Sequence, residues 1–117
     1  MGVYSKQLLS GSSNGLGILI TGTATTALTT IHTAVTGTSG IDEAYAYAVN
    51  TTTTAVKLTV LYGDAGDASQ VIEQTISGEN GLELVLPGIP IQNAKIIKGF
   101  AGTANVIAVH GWVNRVT

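Results

Sequence analysis

Hydrophobic and polar positions alternate along much of this chain, most plainly in AYAYAVNTTTTAVKLTVLY, from Ala44 to Tyr62. A period of two is the strand pattern, because successive side chains leave a strand on opposite faces. The stretch reads as a hairpin, with residues 45–49 as one strand, 50–54 as the turn and 56–62 as the return. On the second strand Val56, Leu58, Val60 and Tyr62 share a face, and Lys57 and Thr59 take the other. The first strand sets Tyr45, Tyr47 and Val49 opposite Ala44, Ala46 and Ala48, with no charge on either face. A face of alanines lets another sheet or another copy approach closely.

The rest of the chain reads the same way. Strand-like segments cover residues 3–9, 16–21, 27–35, 71–76, 82–86, 95–100 and 105–116, divided by SGSSNGLG, TGTSG, GDAGDASQ, SGENG, PGIPIQN and AGT. Short strands at roughly 8–12-residue spacing with turn signals between them predict an all-β fold. The expected form is an antiparallel β-sandwich, jelly-roll-like, of about 7–9 short strands. Threonine, valine and glycine disfavour helix throughout. Residues 1–15 read as a flexible N-terminal arm, because SGSSNG costs much entropy to order and brings few apolar groups. Residues 16–117 read as a single β-sandwich domain.

Composition sharpens this picture. Only 10% of the 117 residues are charged while 44% are hydrophobic, so the surface is built of small polar residues or is covered by other copies. Apolar strand faces with so little charge beside them imply a homo-oligomer, with a trimer favoured over a dimer. The net charge is −2 and the five basic residues are scattered, which argues against nucleic-acid binding by phosphate neutralisation. Cysteine is absent, removing disulfides and thiolate chemistry. No apolar run reaches the ~18–20 residues of a membrane span, and no signal peptide is expected.

Candidate chemistry is sparse. A metal site or catalytic dyad needs the two histidines, His32 and His110, to converge with a carboxylate. His32 alternates against Ile31 and falls in with Thr30 and Ala34, whereas His110 shares a face with Trp112. Both read as histidines on polar or interfacial strand faces. Asp42, Glu43 and Asp64 fall near the open end of the expected hairpin, where paired carboxylates could act as acid and base or hold calcium. The Asp64–Asp67 loop lacks the spacing of a calcium loop, and the group reads as solvated turn carboxylates. GSSNGLG has neither the ending nor the following helix of a phosphate loop, and no serine lies in a G-x-S-x-G elbow. No catalytic, cofactor-binding or metal residue is assigned, and the chain is expected not to be an enzyme.

The aromatic side chains offer more. Tyr45 and Tyr47 share one strand face, and in the closing strand Ala108, His110, Trp112 and Asn114 lie opposite Ile107, Val109 and Val113. The second row is expected to be core, with Gly111 admitting a close neighbour. An aromatic row is core, a subunit contact or a platform for sugar rings. The assigned interface, with the chain's own copies or a partner, is Tyr45, Tyr47, His110 and Trp112.

Between Ile31 and Val116, the strand IDEAYAYAVN, the turn LPG and the closing HGWVNR resemble small β-rich virion proteins of tailed bacteriophages, most of all capsid decoration (cement) proteins. The resemblance implies a symmetric oligomer, often a trimer, that binds the major capsid protein and stabilises the outer shell. It implies synthesis in the host cytoplasm and residence on the capsid surface, and it carries no catalytic residue or cofactor. A tail, head–tail connector or host-recognition (carbohydrate-binding) module is the alternative.

Overall fold

The computed structural model describes residues 2–63 and 68–117. Nine strands follow one another: β1 (Tyr4–Leu8), β2 (Ile18–Leu19), β3 (Thr29–Thr33), β4 (Ile41–Asn50), β5 (Val56–Tyr62), β6 (Val71–Ile76), β7 (Glu83–Ile91), β8 (Ile96–Ala101) and β9 (Ile107–Val116). Among the described residues there is no helix. One sheet runs β1-β9-β4-β7, with β2 also on β9; the other runs β3-β8-β5-β6. Every pairing is antiparallel.

β1 pairs with the C-terminal half of β9 and β2 with its N-terminal end, so the two act as one interrupted edge strand. Counted that way, the nine strands become the eight of a jelly roll, in two sheets of four. The class expected from the alternation is the class the chain forms.

The core lies between the sheets. Ala44, Ala46 and Ala48 are buried on the inner face of β4, beside Ile107, Val109 and Val113 of β9, and they pack in one cluster with Leu58, Val60 and Ile97 of the other sheet. The alanines keep that side of the core shallow, and the large side chains opposite fill it. Each buried Leu or Ile contributes roughly 1.5–3 kcal/mol.

The hairpin expected across the four threonines does not form. β4 pairs along its whole length with β9, from Ile41↔Val116 to Asn50↔Ile107. The shorter β5 could not match those ten positions, and it pairs instead with β6 and β8 in the other sheet. The threonine loop is therefore a crossing between sheets, and buried Asn50 organises it. Asn50 Nδ2 donates to the carbonyls of Thr54 (2.8 Å) and Ile76 (3.0 Å), and Oδ1 accepts from the Thr52 N–H (3.0 Å) and hydroxyl (2.8 Å).

Two further segments differ from expectation. The LPG turn is part of β7, which passes through Pro87 and Pro90 on the open edge of its sheet, the place in a sheet where proline is tolerated. Register shifts between Ala44/Tyr45 and Ala46/Tyr47 absorb the irregularity. The first fifteen residues, read as an arm, carry β1 paired to β9 and place Leu9 in the core at 1% exposure.

Candidate functional site

The four residues assigned as an interface come together on the outer face of the β1-β9-β4-β7 sheet. Alternation puts Ala44, Ala46 and Ala48 inside, and so turns Tyr45 and Tyr47 outward; the same rule on β9 turns His110 and Trp112 outward. Register then makes them neighbours, because Tyr45 lies opposite Trp112 and Tyr47 opposite His110. The Tyr45 and Trp112 rings stack with centroids 4.9 Å apart and planes 12° from parallel; Tyr47 joins at 6.3 Å and 26°. Such pairs add about 0.5–1.5 kcal/mol beyond their buried area.

The stack extends across all four strands. On β1, the Lys6 ammonium stands 5.1 Å from the Trp112 ring centroid, in cation–π range. On β7, Gly88 (φ +95°) faces the Tyr45 ring, and a Cβ there would come within 2.7 Å of it. A glycine is required by both the backbone angle and the ring. Trp112 is thus flanked by Tyr45 and Lys6, and its indole N–H is buried with no hydrogen-bond partner among the described residues.

Around the stack the face is apolar. Among the described residues the exposed large hydrophobic side chains are Val3, Tyr4, Leu8, Leu16, Leu19, Ile41, Leu82 and Leu84, and register puts Tyr4, Leu8, Leu19, Ile41 and Leu84 in phase with the stack on this face. The other sheet exposes no large hydrophobic side chain among the described residues and carries a Lys57–Glu73 ion pair at 2.8 Å. The two outer faces are chemically unlike.

The histidines do not converge. His110 is on the outer face, while His32 is buried at 1% exposure. The expected alternation at His32 fails because a register shift between Thr30 and His32 lets Ile31 and His32 both point inward. Asp42, read as a solvated turn carboxylate, is instead fully buried beside it. Its carboxylate accepts from His32 Nε2 (2.8 Å), the Val35 N–H (3.0 Å), Arg115 Nε (2.7 Å) and Arg115 Nη2 (3.0 Å). Burial by itself would raise the Asp42 carboxyl, but hydrogen bonds from Arg115 and His32, the Arg115 charge and the Val35 N–H hold it below the usual carboxylate range.

This cluster contains a serine, a histidine and an aspartate, yet it is wired as a clamp. Ser10 reaches His32 through its backbone N–H, which donates to Nδ1 at 2.9 Å. The Ser10 hydroxyl instead accepts from the Thr33 N–H at 2.6 Å. With Nδ1 accepting, Nε2 carries the proton toward Asp42, and the imidazole has no free lone pair with which to activate a nucleophile. Ser10, β3, β4 and β9 are tied at one point. No group of three or more His, Cys, Asp or Glu stands ready to hold a metal ion among the described residues. Asp64 and Asp67 lie outside the described residues, and Glu43 is half-buried on the outer face.

Lys6 and the Asp42–Arg115 pair were not read from the sequence, although phase would have exposed both. Tyr4, Lys6 and Leu8 alternate together, Asp42 is in phase with the alanines, and Arg115 is in phase with Val109 and Val113. The fold and the site together define a jelly-roll domain with one apolar, aromatic outer face. No family model, curated protein or solved structure matches the chain.

Proposed function

We propose that the protein is a non-enzymatic structural component of a virion, a decoration protein that binds the outer capsid shell and stabilises it. The observation that carries this reading is the outer face of the β1-β9-β4-β7 sheet, where the stacked Tyr45, Tyr47 and Trp112 share a face with the exposed Tyr4, Leu8, Leu19, Ile41 and Leu84. Monomeric domains rarely leave such a patch uncovered, and tyrosine and tryptophan are favoured where proteins meet. The resemblance of residues 31–116 to phage decoration proteins supplies the setting. The carbohydrate-platform reading is disfavoured by the stack itself, since Tyr45 and Lys6 already cover the indole that a sugar ring would need.

An antibody against the chain, applied to purified particles of the phage that encodes it, should label the head shell in electron micrographs. Label confined to the tail moves the protein to the alternative placement, and particles without label overturn the virion assignment.

A further inference from the structure

We propose that the outer face of the β1-β9-β4-β7 sheet is the contact surface of a two-fold homodimer, packed face to face with Lys6 of each copy against Glu43 of the other. The inference rests on reading that face as a protein contact and names its occupant.

The outward rows of β1, β4 and β9 are Tyr4, Lys6 and Leu8; Ile41, Glu43, Tyr45, Tyr47 and Val49; and Ala108, His110, Trp112, Asn114 and Val116. Lys6 and Glu43 are the formal charges in these rows, one of each sign. Neither forms an ion pair among the described residues, whereas Lys57 and Glu73 on the opposite sheet close theirs within the chain. A face bearing one cation and one anion in an apolar field is not suited to a strongly charged partner. It is suited to a copy of itself.

Register makes the match geometric. Lys6 and Glu43 are both paired with Asn114, from opposite sides of β9. Each therefore lies one strand spacing, ~4.8 Å, from the β9 axis. A half-turn about an axis running along β9 in the contact plane exchanges the two sides. It brings Lys6 over the partner's Glu43, and Glu43 over the partner's Lys6, while the Trp112 row stays near the axis. The ~30° angle at which twisted sheets pack leaves both charges within side-chain reach.

Size and symmetry agree. Four strands at ~4.8 Å and ten positions at ~3.3 Å outline roughly 600 Å² before side-chain relief is counted. That is the order of the ~800 Å² per partner in a stable interface. A single self-complementary face closes at two copies, whereas the trimer expected from the sequence needs two different patches on each subunit.

Sedimentation velocity at micromolar concentration should return twice the 11.9 kDa chain mass. Lys6→Glu and Glu43→Lys, each folded by circular dichroism, should weaken the dimer at least tenfold. Mixing the two variants should restore it as a heterodimer, and so should combining both substitutions in one chain. If a charge swap unfolds the protein, cysteine substitution gives a second readout, since the chain has none of its own. Lys6→Cys mixed with Glu43→Cys should cross-link on mild oxidation, and neither should cross-link alone. A monomeric or trimeric wild type, single swaps that leave the dimer intact, or cross-linking that ignores the pairing would each overturn the proposal. A dimer that labels no capsid shell removes the decoration role and leaves the dimer standing; a monomer found on the shell does the reverse.

Discussion

Arg115 grips Asp42 with two N–H groups, at 2.7 and 3.0 Å, across directly paired positions of β9 and β4. The carboxylate is fully buried while the Arg115 side chain keeps 28% of its surface, so the pair joins the core to the solvent boundary. His32 and Val35 complete the shell of the carboxylate and join the second sheet to it. Such a cluster is a registry device: it fits only when β3, β4 and β9 are correctly aligned.

Asp42→Asn should therefore destabilise the fold by about 3 kcal/mol, the lower end for breaking a buried pair because Arg115 is partly solvated. Urea unfolding at neutral pH measures this as a drop in midpoint at unchanged slope. An unchanged midpoint would remove the clamp from the account of stability.

The acid limb of stability carries the same signature. The Asp42 carboxyl is lowered in the folded protein relative to its unfolded value of about 3.9. Above that value its contribution is complete; as pH falls through the lowered folded value, the carboxylate protonates and the contribution is lost. As pH falls below about 4, wild type should lose midpoint more steeply than Asp42→Asn, which has no carboxyl at that position to titrate. Parallel acid profiles for the two proteins would contradict this.

Trp112→Ala should leave strand content unchanged in far-ultraviolet circular dichroism and weaken association by about 2 kcal/mol or more, roughly 30-fold. The chain has one tryptophan, so its fluorescence reports this residue alone. Emission in the assembled protein should be blue-shifted and resist quenching by iodide. A freely quenched indole at concentrations where the protein is oligomeric places the contact elsewhere.

Gly111→Ala tests the β9–β4 seam. A Cβ at this position would run into the Tyr45 carbonyl oxygen, so backbone must move. A cost of about 2–3 kcal/mol is expected, on the order of 10 °C in Tm. A melting temperature within a degree or two of wild type would show that the seam has slack.

Truncation separates edge from core in the first fifteen residues. Removing residues 1–8 strips an edge strand whose side chains are all exposed and should leave the sandwich folded. Removing residues 1–15 also takes Leu9 from the core and Ser10 from His32, and should cost a further ~2–5 kcal/mol. Equal stability for the two truncations would mean that Leu9 does not pack as the structure has it.

Local alternation determined the faces of this protein. Because a pleated strand repeats every two residues, Ala44, Ala46 and Ala48 went in as Tyr45 and Tyr47 went out, and Ile107, Val109 and Val113 went in opposite His110 and Trp112. That rule needs only neighbours in the chain, and it placed the aromatic face without any knowledge of partners. Which strands pair is a different matter, since it depends on contacts between segments distant in sequence. The threonine turn that looks like a hairpin becomes a crossing only because β9 matches β4 along its full length. The Thr30–His32 register shift breaks the period that would have turned His32 outward, and only with β3, β4 and β9 in place does Asp42 acquire the donors that make its burial stable. A buried charge is tolerable only when its partners arrive from elsewhere in the fold. That is why the face was legible in the sequence and the clamp was left to the tertiary structure.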